Sequence, residues 1–380
     1  MGDALSPDSA AAWLRLAALD LSARRRHRLL QAFGGAEALF AAAPEAWRAA
    51  GVDDGARVQL QRAARLDVRR DLDRLADLAV DLVPWGDPRY PPLLASIDDP
   101  PVVLFVRGRL PEPNRACVAM VGTRRASPYG ELVAEDLARG LAEVGIGVIS
   151  GMAAGIDSAA HHGALRARGY TAGVLGCGVD VVFPKSNVAL AERLAAGGAL
   201  VSEFPLGASP RAWHFPLRNR IISGLSRALV VVQAPTDSGA LITARLATEQ
   251  NREVLAVPGN ITDTRQAGCH ALLRDGATLV RGVDDILEVL GLERAAAADL
   301  AAEPAVGTRP VTPAPEPQPL PPLTPAESAV AGVLGLVPVA IDDIIDGTRL
   351  PTPEVQSALV TLELKQVARR LPGNRFVRAT

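Results

Sequence analysis

Lysine is almost missing from this chain. Of its 40 basic residues only Lys185 and Lys365 are lysines. A GC-rich genome that favours arginine codons gives such a bias, and against it a retained lysine points to a place that needs a compact, flexible charge. Cysteine is scarce as well. Cys117, Cys177 and Cys269 lie far apart and in no metal-ligand spacing, which argues against a disulfide framework and for a reducing compartment. Excess charge is missing too. The net charge is −2, so a nucleic-acid site would have to gather its positive charge locally. No uncharged apolar run approaches about 18 residues, so no membrane span is expected. The N-terminal stretch starts acidic and carries Arg15 inside its apolar run, unlike a signal peptide. These absences lead to the expectation of a cytoplasmic protein.

One further absence is local. No acid occurs from Phe204 to Thr236, while "FPLRNRIISGLSRALVVV" (215–232) sets three arginines around Asn219 and a short apolar segment before a strand-like run. A core element has no need of that, and the pattern suggests an anionic ligand.

With 380 residues and 48% hydrophobic side chains, the chain suits two or three domains. Residues 1–80 read as helical, broken at Phe33–Gly35, at Pro44 and at Gly51–Gly55. The proline-rich stretch that follows reads as a connecting segment. From about 102 to 292 short apolar runs ("VVLFVRG", "ACVAMVG", "GVISG", "TAGVLG", "ALVSEF", "ALVVVQA", "EVLAVPG", "ATLVRG") alternate with helical segments. Near-continuous apolar runs suit parallel strands covered on both faces, joined by right-handed helical crossovers. The expected fold is α/β: a Rossmann-like doubly wound, mostly parallel sheet over 81–292 (core 115–290). A linker is expected over 293–322, of which 301–322 holds eight prolines. In 323–380, Thr324 and Glu327 form a capping box. Two more helices, near "AIDDIID" and "TPEVQSALVTLELK", and a hairpin turning at Pro372–Gly373–Asn374 complete a winged-helix pattern.

In a doubly wound sheet, ligands bind where strand C-termini meet helix N-termini. Four such ends stand out. At "MVGTRRASPYG", Gly122 permits a tight turn, Thr123 and Arg124 follow it, and Ser127 or Pro128 opens a helix, so free amides and an arginine make an anion site. At "SGMAAGIDSAAHHGAL", Gly151 and Gly155 allow close approach by a phosphate, and Asp157 can cap or orient. His161 and His162 are adjacent on a helix and point apart, so no metal site is expected there. At "GCGVDVVFPKSN", Phe183 beside Lys185 is the pairing of stacking ring and backbone charge used for single strands, and Asn187 can cap the next helix. The fourth end joins Arg218, Asn219 and Arg220, placed just before a short helix, to Ser238 and Gly239, which open another. Arg218 and Arg220 cannot both be buried cheaply, so at least one should reach solvent or ligand. Together these ends describe a pocket for a phosphate chain. Roughly five charge contacts to a single strand give a salt slope near −3.5, or about a hundredfold loss of affinity between 50 and 200 mM salt.

In this order, "VGTRRASPYG", "SGMAAGIDSAAHHGAL", "GVLGCGVDVVFPKSN", "SEFPLG", "FPLRNRIISGLSRALVVVQAPTDSGALITARLA", "VPGN" and "GCHALLRDGA" resemble the DNA-processing protein A (DprA/Smf) family over about 115–290. The N-terminal part resembles that family's SAM-like or helix-hairpin-helix-like domain more loosely, and the tail its winged-helix domain. The resemblance implies a homodimer that acts in natural transformation and recombination. Such a protein binds and protects incoming single-stranded DNA and helps load the RecA recombinase. It further implies phosphate contacts from Arg124 and Lys185, with Phe183 and the Arg218–Asn219–Arg220 trio in signature segments and the trio lining the same groove. Leu272 and Leu273 are the expected dimer face.

The sequence departs from that pattern in two places. "LSARRRHRLLQAFGG" lacks a tight glycine hairpin, so Arg24–Arg28 reads as a solvated helix face. In the tail, Lys365, Arg369, Arg370, Arg375 and Arg378 suit wing contacts to a DNA backbone, but the third helix offers Gln356 and no arginine for base reading. Two alternatives are weighed. A phosphoribohydrolase-like enzyme needs a "PGGxGTxxE" turn, whereas "APTDSGALITAR" has no glutamate at the helix start. A mononucleotide-binding regulator predicts no dependence on strand length. The expectation is a binding protein rather than an enzyme, with no cofactor and no metal. Cys177 has no evident histidine partner, and Asp157, Asp180 and Asp237 are better explained without an ion.

Overall fold

The computed structural model describes residues 5–292, 323–335, 339–365, 367–371 and 375–378. The whole of the expected linker, 293–322, and the Pro372–Asn374 turn lie outside the described residues. Two compact units divide the chain, residues 1–303 and 304–380.

The first unit begins with six helices: α1 (Pro7–Ala17), α2 (Ala23–Phe33), α3 (Ala36–Ala41), α4 (Pro44–Ala49), α5 (Asp54–Ala64) and α6 (Arg69–Asp77). Serine caps α1 and α2 and aspartate caps α5, each through a side-chain oxygen that accepts an otherwise orphaned amide. Gly34 ends α2 in the left-handed region at φ 77°, which costs glycine little.

The rest of the unit alternates strands and helices: β1 (Val80–Pro84), α7 (Pro92–Ala95), β2 (Val103–Gly108), β3 (Cys117–Val121), α8 (Pro128–Glu143), β4 (Gly147–Ser150), α9 (Ile156–Arg166), β5 (Thr171–Val174), α10 (Val188–Gly197), β6 (Ala199–Ser202), α11 (His214–Gly224), β7 (Ala228–Val231), α12 (Gly239–Glu249), β8 (Glu253–Ala256), α13 (Ala267–Arg274), β9 (Thr278–Leu279) and α14 (Val283–Leu290). The nine strands form one sheet in the order β1-β2-β6-β5-β4-β3-β7-β8-β9. All neighbours from β6 to β9 are parallel. β2 pairs antiparallel with both β6 and β1. Strand β1 corrects the reading of its segment as a connector: "VDLVP" lies in register with β2, Leu82 opposite Phe105. Proline ends the strand, a position from which no ladder donor is lost inside the sheet.

Strand β3 opens the parallel set. The chain then builds outward to β6 on one side and returns to place β7 on β3's other side. The strand order reverses between β3 and β7, and that is where an open α/β sheet has a crevice. Alternation along β3 divides two cores. Ala119 and Val121 face a cluster with α11, α12 and α13, while Val118 and Met120 face α8, α9 and α14. A third cluster is continuous from Leu16, Leu39 and Leu60 of the N-terminal helices to Phe105, Leu194 and Leu200, so those helices share a core with the sheet.

The second unit holds α15 (Pro325–Val333), β10 (Val339–Ala340), α16 (Ile341–Thr348), α17 (Thr352–Leu364), β11 (Ala368–Leu371) and β12 (Arg375–Arg378), with strand order β10-β12-β11. Three helices and a small antiparallel sheet enclose Val330, Ile344, Leu359 and Phe376, a winged-helix arrangement. The capping box at Thr324 and Glu327 is formed. Its glutamate also receives Lys365 Nζ at 2.7 Å with both side chains largely buried, so Lys365 is corrected from a wing contact to an internal partner.

Candidate functional site

The crevice between the C-terminal ends of β3 and β7 is a cleft of about 510 Å³. Its walls follow from local geometry. Ser127 caps α8 by accepting from Gly130 N, and Gln233, just past β7, holds that cap: its Oε1 accepts from Ser127 N at 2.8 Å and its Nε2 donates to Ser127 Oγ at 2.9 Å. Thr123 N donates to Gln233 O at 2.7 Å. The "GTR" turn is thereby fixed to the neighbouring strand, and exposed Arg124 projects over the cleft with its guanidinium carbon 5.2 Å from the Phe215 ring centre. On the opposite wall, Ser238 caps α12 by accepting from Ala240 N, and Gly239 stands open, with nothing near the place a Cβ would take.

Of the residues singled out in the sequence, Gly122, Thr123, Arg124, Arg218, Asn219, Ser238 and Gly239 line this cleft. Phe183 lies next to the cleft through its contact with Phe215, and Lys185 is two residues further along the same loop. Both are exposed, and the Phe183 ring lies 5.8 Å from that of Phe215. Arg124, Phe215 and Phe183 therefore run as a line of charge, ring and ring. No ion pair engages Arg124 or Lys185 among the described residues.

The other residues are placed differently. The arginine-asparagine trio lies inside α11, not before it, and both Arg218 and Arg220 are buried, at 4% and 5% exposure. Neither reaches solvent: Arg220 is engaged by its own partners, and Arg218 lies in the cleft wall, where only the expectation of a ligand is left. Arg220 makes a bidentate pair with Glu203 at 2.7 and 2.8 Å and donates from Nε to Asp99 at 3.0 Å. Burial pulls its pKa down, Glu203 and Asp99 outweigh that, and the net shift is upward. Arg220 is thus removed from the groove. Arg218 donates to Gly151 O at 2.9 Å, while its Nε is buried without a hydrogen-bond partner. Burial pulls its pKa down to about 10, with Asp157 opposing and Arg124 adding to the shift. It is the incompletely satisfied cation of the cleft wall.

Gly151 and Gly155 are corrected in role. A Cβ on Gly151 would overlap the Arg218 guanidinium, and one on Gly155 (φ 75°) would press on the Thr123–Arg124 backbone. Both glycines admit the protein's own groups rather than a phosphate. Asn187 does not cap α10. It is buried, and its Nδ2 donates to Met152 O and Ser158 Oγ at 2.9 Å. The loop carrying Lys185 is thereby tied to the loop after β4. Leu272 and Leu273 are partly buried against the α11–α13 side of the core, and Leu279 on edge strand β9 is more exposed, at 44%.

Two residues escaped sequence reading, Phe215 and Thr243. Asp157, read as able to cap or orient a neighbour, is the one acid lining the cleft. Burial raises its pKa, and its Oδ2 accepts from Gly151 N at 3.1 Å and Ala153 N at 3.3 Å. Phe215 and Thr243 also line it. Phe215 was legible in principle, since it precedes Arg218 and Asn219 by three and four residues and so shares their helix face. Of the adjacent histidines, His161 is fully buried, with Nδ1 2.7 Å from Thr171 Oγ1, and His162 is exposed.

Comparison with known proteins places this architecture. The DNA recombination-mediator protein A family matches residues 81–291, and the DprA winged helix domain matches 314–374. Protein Smf of Synechocystis sp. is 36% identical over 319 residues, covering 77% of this chain and 78% of its own. The DNA processing protein DprA of Bacillus subtilis is 40% identical over 222 residues, 58% of this chain and 75% of its own. The X-ray structure of DNA processing protein A from Streptococcus pneumoniae superimposes with a TM-score of 0.64 at 31% identity, covering 75% of this chain and 98% of the other. With the sheet region and the tail module matched in order, the chain belongs to the DNA recombination-mediator protein A family.

Proposed function

We propose that the protein is a single-stranded DNA-binding protein of natural transformation and recombination. It holds the strand across the β3–β7 cleft, protects it, and helps load the RecA recombinase, acting as a cytoplasmic homodimer with Leu272 and Leu273 near the contact. The observation that carries the reading is the line of unpaired charge and exposed ring at the switch point: Arg124 over Phe215, with Phe183 and Lys185 beyond it and buried Arg218 in the wall. Cations without acidic partners attract phosphate, and rings near them take unstacked bases. Gly122, Thr123, Asn219, Ser238 and Gly239 supply the remaining polar wall. Asp157 helps hold the Gly151–Ala153 turn and so keeps Arg218 aimed. α12 begins with no acid in its first turn, and Glu249 at its far end pairs with Arg245 on the surface, an arrangement that favours holding over glycosidic chemistry.

The test is a shift assay of labelled single strands against duplex, with Arg124→Ala and Lys185→Ala beside the parent. Weakened binding of single strands by both variants, with affinity rising over roughly ten nucleotides of strand length, supports the reading. Unchanged binding by both folded variants, or equal affinity for a mononucleotide, overturns it.

A further inference from the structure

Trp213 is 54% exposed and Leu217, one turn further along α11, is 44% exposed. The chain's other tryptophans differ: Trp47 is buried, and Trp13 and Trp85 are partly buried. Trp213 itself does not line the cleft, but its chain neighbours Ala212, Phe215 and Pro216 do, which puts this open indole next to the cleft's rim. Its orientation is set from below. The Trp213 ring stands edge-on to His214 at 4.1 Å and 81°. His214 is buried, with Nδ1 2.9 Å from Gly176 O, and stacks on Phe204 at 4.0 Å. Trp213 and Leu217, four residues apart and so on one helix face, therefore form an apolar shelf beside the cleft, whose lining includes Pro216 between them in the chain.

We propose that this shelf is a second base-stacking subsite, taking the nucleotide that leaves the cleft over Pro216. The inference rests on the single-strand reading above and extends the strand's path beyond the crevice. An aromatic face accepts any base, so the shelf adds affinity without sequence preference. The charge around it favours a nucleic acid over a protein partner. Arg211 is exposed beside it, Arg124 stands across the cleft, and no acid occurs between Phe204 and Thr236.

The experiment titrates the full chain with a labelled oligothymidylate of roughly twenty nucleotides, long enough to cross both subsites. The parent is compared with W213F, W213A and R124A. Anisotropy of the label reads binding, and tryptophan emission reads stacking. Emission of the parent is expected to be quenched. In W213F the quench is lost while affinity stays within about threefold, and W213A binds about tenfold more weakly with the salt slope unchanged. An unaltered thermal midpoint shows that each variant is folded. If W213A binds like the parent, or if the quench persists in W213F, the shelf is off the strand's path and the patch serves a protein contact instead. In that outcome R124A still weakens binding and the cleft reading survives. If the parent binds no strand, both readings fall together.

Discussion

Arg218 and Arg220 stand two residues apart on one helix, equally buried, and belong to different regions. Arg220 belongs to a seam between the sheet and the N-terminal helices. There Glu203 and Asp99 neutralise it, Arg24 pairs with Asp98 at 3.1 Å, Arg26 donates to Leu19 O at 3.0 Å, and His27 lies 2.9 Å from Pro100 O. Arg218 belongs to the cleft, where it keeps one donor unpartnered and Arg124 and Lys185 have no ion pair among the described residues. Both regions are rich in arginine. What separates them is whether a carboxylate pairs with the cation: Glu203 and Asp99 pair with Arg220, whereas Asp157 acts on Arg218 only from beyond ion-pair distance. A paired cation is part of the fold; one left unpaired at the cleft remains available to a phosphate.

The comparison predicts which substitutions damage stability and which damage binding. The largest effect is expected from Glu203→Ala, which leaves Arg220 buried beside Asp99 alone. Breaking a buried pair costs about 3–5 kcal/mol, read as a lower denaturant midpoint, and the presence of Asp99 places this case near the lower end. Next is Gly151→Ala, whose Cβ displaces the Arg218 guanidinium. Overpacking of this kind costs about 1–3 kcal/mol, and strand binding should fall with it; a variant that is destabilised but binds normally would remove Arg218 from the site. Arg124→Ala should leave the unfolding midpoint within about 0.5 kcal/mol of the parent while weakening single-strand binding about tenfold. Smallest is Lys185→Ala, which should lower the slope of log affinity against log salt by about 0.7. If Glu203→Ala spared stability and Arg124→Ala destroyed it, the division between the two regions would be wrong.

Much of this was legible in the sequence, and the part that was not has a consistent cause. The eight apolar runs read as strands are strands, because fully buried parallel strands need continuous apolar residues. Strand β1, absent from the sequence reading, lies in a proline-rich segment whose pairing with Phe105 depends on residues more than twenty positions away. The helix starts at Ser127, Ser238 and Thr324 were readable because a cap is a local hydrogen bond. Asn187 was misread as a cap because its actual partner, Met152 O, is 35 residues distant. Gly151 was recognised as a place needing room, but nothing local says that the room is filled by Arg218.

Composition, periodicity and capping chemistry by themselves determined the layered α/β architecture, the helical start, the winged-helix tail and the strand ends where polar groups gather, since each depends on neighbours in the chain. Only the tertiary structure decided which arginines remain available for an anion. A guanidinium's electrostatic state depends on the carboxylates and the solvent exclusion around it. For Arg220 those carboxylates come from Asp99 and Glu203, brought beside it by folding alone.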